Sequence, residues 1–214
     1  MGRRALPPVD PTLDLADYLK RLEDLPCPWS SEALFGRCGP LELEIGSGKG
    51  LFLSAAAATD PEANFLGVEI AAKYARFAAA RLAKRQLGNA RVVHGDAVRI
   101  MRAMIPDGAL RAVHVYFPDP WWKARHKKRR VMNRELVGHI ERTLEAGGRL
   151  HFWTDVEEYY LTSLEVIRAS TRLEGPFAVG EKPADHDLDY CTHFERRMRL
   201  GGLPVYRAEF CKPL

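Results

Sequence analysis

Leu41-Glu42-Leu43-Glu44-Ile45-Gly46-Ser47-Gly48-Lys49-Gly50 decides how this chain of 214 residues folds. An apolar run with strand character meets three glycines spaced two apart, and an alanine-rich helix, Leu51 to Ala58, begins at once. Glycine enters the φ > 0 region without a Cβ penalty, so the stretch reads as strand, tight turn and helix. Working outward, the same alternation recurs. Asn64 to Val68 reads as a strand, followed by a helix over Ala72 to Leu87 that Gly88-Asn89 stops. Arg91 to His94 is a short strand ending at Gly95-Asp96, and Ala97 to Met104 is a helix. Ala112 to Phe117 is a buried-type strand, Arg134 to Leu144 a helix closed by Gly147-Gly148, Arg149 to Trp153 a strand, and Val156 to Ser170 a helix. A loop around Pro183 to Thr192 and a last strand, Val205 to Phe210, complete the chain.

Strands and helices in that alternation predict an α/β fold. Its sheet is mostly parallel, with helices on both faces and an antiparallel C-terminal strand. Residues 1–40 read as an arm followed by a short helix over Leu13 to Leu22, and 41–214 as one domain. Ligands of such sheets bind beyond the carboxyl ends of the strands. Five acids fall there: Glu44 before the glycine turn, Glu69 ending the second strand, Asp96, Asp119 and Asp155 following the next three.

Composition narrows the function classes. No apolar stretch approaches the ~20 residues of a membrane span, and the N-terminus lacks the apolar run of a secretory signal. A cytoplasmic protein is expected. Cys27, Cys38, Cys191 and Cys211 form no CxxC pair, so no metal site is expected, and buried or semi-buried thiols are. The net charge of +4 is concentrated in Lys123-Ala124-Arg125-His126-Lys127-Lys128-Arg129-Arg130. Without those six cations, 26 basic residues face 28 acidic ones. Such a block binds a polyanion or is simply solvated.

The glycine turn excludes two nucleotide motifs. A dinucleotide fingerprint needs glycine where Leu51 stands, and a P-loop needs Ser or Thr where Gly50 stands. What remains, ExGxGxG, resembles the first motif of the Rossmann-like class I methyltransferases. That resemblance implies S-adenosyl-L-methionine as cofactor, its methionine part wrapped by the turn at Gly46 and Gly48. It implies Glu69 on the ribose diol, whose two hydroxyls a carboxylate accepts together, and Asp96 on the adenine amino group.

Phe117-Pro118-Asp119-Pro120-Trp121-Trp122 places an acid between two prolines, then two flat aromatic faces, directly before the basic block. Acid, stacking surface and cationic strip in one loop suit an unpaired base with phosphates alongside. One of the two tryptophans is expected to be core filling. The whole run resembles the signature of the tRNA (guanine-N7-)-methyltransferase family, FPDPWxKxRHxKRR. Thr154-Asp155-Val156-Glu157-Glu158-Tyr159 and Thr192-His193-Phe194-Glu195 agree with it, and the match spans about residues 40 to 212. His193 stands where that family usually shows Lys.

By position, the resemblance implies cofactor contacts at Glu44, Glu69, Asp96 and Asp119, with Asp119 the catalytic residue. It implies RNA or guanine contacts at Lys123, Asp155, Thr192, His193, Phe194 and Glu195. Arg125, His126, Lys127, Lys128, Arg129 and Arg130 form the RNA-facing strip. The implied partner is tRNA, methylated at guanosine 46 of the variable loop, with no protein partner called for. Guanine N7 carries a free lone pair, so fixed carboxylates that favour a cationic ring matter more than a general base. His114 and His151 read as packed strand histidines, and Tyr159 and Tyr160 as structural. Two other functions remain open at this point: an exocyclic-amino methyltransferase, whose loop orders its prolines differently, and a non-enzymatic RNA-binding module.

Overall fold

Strands β2 (Leu41–Ile45), β3 (Asn64–Glu69) and β5 (Leu110–Tyr116) lie side by side and parallel at the centre of an eight-stranded sheet. A computed structural model of the protein describes residues 6–181, 183–184 and 190–214. The sheet order is β1 (Leu19–Arg21), β4 (Ala90–His94), β3, β2, β5, β6 (Leu144–Thr154), β8 (Tyr206–Cys211) and β7 (Glu174–Ala178). β8 runs antiparallel to both of its neighbours, and the pairs on the other side of it are parallel. The expected α/β architecture, with its antiparallel C-terminal strand, is therefore the observed one.

Alternate residues along each strand separate the two faces. Phe65, Ala90 and Val92 pack with Leu53 and Ala57 of α2 (Leu51–Thr59) and with Ala75, Ala78 and Leu82 of α3 (Ala72–Lys84). Their neighbours Leu66 and Val93, with Leu43, Val113, Leu150 and Phe152, pack on the opposite face. There they meet Ile100 and Met101 of α4 (Ala97–Ala103), Leu136 and Ile140 of α5 (Arg134–Thr143), and Tyr159 and Ile167 of α6 (Glu157–Ser170). From β2 the chain steps outward through β3 and β4, then returns to β5 on the other side. That reversal opens a crevice above the carboxyl ends of β2 and β5.

Four elements differ from the sequence reading. Leu13 to Leu22 is not a helix. One turn closes at Leu15–Leu19, after which β1 pairs with β4, and the Tyr18 carbonyl accepts from Val92 N at 2.8 Å. Ten residues gain little from an isolated helix, whereas the open edge of β4 offers unpaired backbone groups. Helix α1 (Ser31–Phe35), unread in the sequence, starts where Ser30 Oγ accepts from Ala33 N and stops at Gly36, φ 71°. The edge strand β7 and the helix α7 (His193–Leu200) were also unread. Half of the loop expected from Pro183 to Thr192, residues 185–189, lies outside the described residues. Among the cysteines, Cys27 and Cys38 are exposed rather than buried, and Cys191 and Cys211 are half-buried.

The glycine turn packs as tightly as it reads. Gly50 has φ 66°, and a Cβ there would sit 2.8 Å from Ala78 Cβ and 3.1 Å from its Cα on α3. Backbone strain and overpacking then act together, so Gly50→Ala is expected to lower the unfolding free energy by about 1–3 kcal/mol. Urea denaturation should show a lower midpoint at an unchanged slope.

Candidate active site

The turn after β2 is fastened to β3 by three backbone N–H donors. Gly46 N and Ser47 N donate to the Val68 carbonyl at 2.8 and 3.1 Å, and Gly48 N donates to Glu69 Oε2 at 2.8 Å. The other Glu69 oxygen accepts from Ala71 N at 2.8 Å, at the start of α3. Glu69 is thus a buried carboxylate clamped between the glycine turn and a helix N-terminus. Gly46 and Gly48 have φ of 79° and 51°, and a Cβ on Gly46 would meet nothing within 4 Å. Space therefore lies directly over the turn.

Beneath it, Glu44 is 4% exposed, and its Oε2 has no hydrogen-bond partner. Burial raises its carboxyl to about 8, a Ser47 bond offsets part of that, and the Glu69 charge adds to it. A buried carboxylate oxygen left without a donor is costly. A carboxylate and a carboxyl that a nearby cation would ionise, together under an open glycine turn, fit a ligand that brings positive charge and hydroxyl donors. S-adenosyl-L-methionine does both, through its ammonium, its sulfonium and its ribose diol.

Asp96, after β4, is exposed and caps α4, accepting from Arg99 N at 3.1 Å through one oxygen. Asp119 is exposed in the loop after β5, on the strand next to β2, and Asp155 is half-buried after β6. Glu44, Glu69, Asp119 and Asp155 thus share the carboxyl edge of four adjacent strands, with Asp96 on the next strand outward. Phe117 N bonds the Trp153 carbonyl at 2.8 Å, which ties the exit of β5 to the end of β6.

The basic block divides in two. Lys123 leads into a 3-10 helix, Ala124–Arg129; Lys123, Arg125, Lys127, Lys128 and Arg129 are exposed and His126 is half-buried. Arg130 departs from the expected RNA-facing strip. Its side chain is 9% exposed, and its guanidinium holds both oxygens of Glu158, at 3.1 and 2.5 Å. Its Nε donates to the Pro120 carbonyl at 2.8 Å, and it lies 4.6 Å from the Tyr159 ring centroid. Lys127 also bonds Glu158, at 2.8 Å, and the Arg130 and Lys127 bonds hold that carboxyl down at about 2. Arg130 therefore anchors the loop, and the reason is local: the planar fork fits a carboxylate that α6 presents beneath it.

Thr192 to Glu195 likewise splits. Thr192 Oγ1 caps α7, accepting from Glu195 N at 3.0 Å. Glu195 is 3% exposed and bonds Cys191 N, Arg207 and Arg199. These two side chains hold the helix in place. Their Thr-x-x-Glu spacing is a capping signal that sequence alone carries. His193 and Phe194 face outward. His193 meets Arg81 of α3 at 3.4 Å, and Phe194 stacks on Phe117 with ring centroids 5.9 Å apart. Helix α7 therefore bridges α3 and the exit of β5, beside Asp119.

The packed histidines are as expected: His114 bonds Tyr116 Oη and Glu42, and stacks on His151 at 4.8 Å. Tyr159 and Tyr160 are structural, bonding Met132 N and the Arg207 carbonyl respectively. Among the described residues no His/Cys/Asp/Glu group is suited to a metal, and no helix is long and apolar enough to cross a membrane.

The strand order, the glycine turn and the acids on one edge define a protein with the class I methyltransferase fold. A solved aminoglycoside resistance methyltransferase superposes with a TM-score of 0.55 at 17% identity, covering 85% of this chain and 91% of that one. A family model described as putative methyltransferase matches residues 39–208. A tRNA (guanine-N(7)-)-methyltransferase of Rhodopirellula baltica is 49% identical, over 99% of this chain and 80% of the relative. One from Thiobacillus denitrificans is 38% identical, over 92% and 84%. The chain belongs to the tRNA (guanine-N(7)-)-methyltransferase family.

The buried Glu44 makes a prediction about pH. Its folded value lies near 8 and its unfolded value near 4.5, so the folded protein keeps a proton that the unfolded chain has released between those limits. Stability is present in full below pH 4.5 and falls as pH rises toward 8. Glu44→Gln should remove about one proton's worth of that slope. Unfolding of the ligand-free protein at pH 5 and pH 8.5 measures it, and equal pH slopes in the two proteins would refute the assignment.

Proposed function

We propose that this protein transfers a methyl group from S-adenosyl-L-methionine to N7 of a guanosine in tRNA, at position 46 of the variable loop. The observation that carries the reading is the shared edge. Glu69 is bonded to the glycine turn, Glu44 lies beneath with an unpartnered oxygen, and Asp119 stands just past the adjoining strand at the head of a cationic loop. The cofactor supplies an activated methyl on a sulfonium. Glu69 accepts the ribose hydroxyls, Glu44 faces the cationic end, and Asp96 meets the adenine amino group. Asp119 accepts from guanine N1–H and the 2-amino group, a donor pair that adenine lacks, and its charge favours the purine as positive charge builds on it. Asp155, His193 and Phe194 border the base. Lys123, Arg125, Lys128 and Arg129 lie along the phosphates. The order Pro118-Asp119-Pro120 and the relatives' names favour N7 over an exocyclic amine.

Labelled cofactor and unmodified tRNA test this directly. Borohydride and aniline should cut the product once, at the modified guanosine. Label without a cut would place the methyl elsewhere. Asp119→Asn should lower turnover by roughly 10²–10³-fold at saturating tRNA, the scale of losing one preorganised electrostatic contact. A variant that only bound tRNA more weakly would contradict the role given to Asp119. With the four outward cations on phosphates, log affinity for tRNA should fall against log salt with a slope of about −3, measurable by filter binding.

A further inference from the structure

Trp121 and Trp122 are neighbours in sequence with different fates in space. Trp121 is half-buried, edge-on to His126 at 5.8 Å, with the Arg129 guanidinium 5.1 Å from its ring centroid. Trp122 is 69% exposed, and among the described residues its ring stacks on no other ring or guanidinium. It stands at the variable position of the FPDPWxKxRHxKRR pattern, so the resemblance assigns it nothing.

Two features show that this exposure is built in. Phe117 and Trp121 have φ of 50° and 46°, a region costly for bulky residues. Both flank the segment that carries Asp119, and the second turns the chain immediately before Trp122. The loop is also held from below, where Arg130 bonds the Pro120 carbonyl and Glu158. The indole therefore projects from an anchored base, with a flat apolar face on which a planar ligand can stack.

Its surroundings select one. Lys123, Arg125, Lys128 and Arg129 follow it, all exposed, so the partner carries negative charge beside a flat apolar group. An unpaired nucleotide has both, and stacking tolerates any base because each has a π face. We propose that Trp122 is a stacking platform for an unpaired tRNA base next to the target guanosine, holding the RNA open while Asp119 engages the target. The proposal rests on the tRNA reading above.

Trp122→Ala should raise KM for tRNA roughly 5- to 150-fold, the range that stacking of one base corresponds to. Turnover at saturating tRNA, affinity for the cofactor and the thermal midpoint should not move. Trp122→Phe or Trp122→Tyr should recover most of the loss, and Trp122→Leu should not. The salt slope should stay that of the wild type, whereas Lys123→Ala should make it shallower by about 0.7–0.9. Indole fluorescence should be quenched on tRNA binding in the wild type and far less in Trp122→Phe. An unchanged KM in Trp122→Ala, or recovery by Leu as complete as by Phe, would overturn the proposal. So would a change in sedimentation mass, which would make Trp122 a contact between copies of the chain. Failure of the tRNA reading shows separately, as a wild type that methylates no tRNA.

Discussion

The carboxylate of Glu69 bonds the backbone of Gly48 on one side and of Ala71 on the other, and the site is organised around that clamp. It locks the turn after β2 onto the end of β3 at the point where the sheet order reverses. The turn can take that path only because Gly46, Gly48 and Gly50 all have positive φ. Once it is fixed, α2 must start over the crevice and α3 must start beside it, so the geometry of the edge follows from a few backbone bonds. The acids on the neighbouring strands then need only end their strands to face the same space.

That dependence explains which parts were legible in the sequence. Strand ends are read from periodicity and glycine punctuation, and the parallel order carries them to one edge. Glu44, Glu69, Asp96, Asp119 and Asp155 could therefore be grouped without coordinates. What sequence did not give was the partner of each charge. Arg130 looks identical to Arg129 in a run of cations, yet Glu158 from α6 takes it inward. Thr192 and Glu195 are singled out only by the resemblance, and the structure adds that they cap and anchor α7. Leu13 to Leu22 carries helical spacing, but the open edge of β4 lies more than sixty residues away and no local pattern announces it. Local signals name the element, and long-range pairing decides the role.

The two anchors belong to one design. A loop of cations repels itself and would splay into water, losing any fixed direction. Glu158 binds Lys127 and Arg130 together, so the loop is pinned at its C-terminal end while Asp119 is stiffened by prolines at the other. The buried pair Glu195 and Arg207 does the same for α7, with Arg207 lying 5.0 Å from the Trp153 ring centroid at the end of β6. Ion pairs of this kind contribute little as isolated surface contacts. Here they fix where the remaining charges point.

The cost of the arrangement falls on Glu44. A protein does not bury a carboxylate beside another and leave one oxygen bare for the sake of its own stability, because hydrophobic residues of similar volume would serve the core better. The expense makes sense if it is recovered when a cation enters, since a sulfonium or an ammonium in a dry site favours release of the Glu44 proton and is then held by two carboxylates in place of one. The same field disfavours nothing on guanine N7, which accepts a methyl without first losing a proton. A site poor in bases and rich in fixed carboxylates is therefore matched to a reaction in which positive charge is bound, moved to a purine and held there.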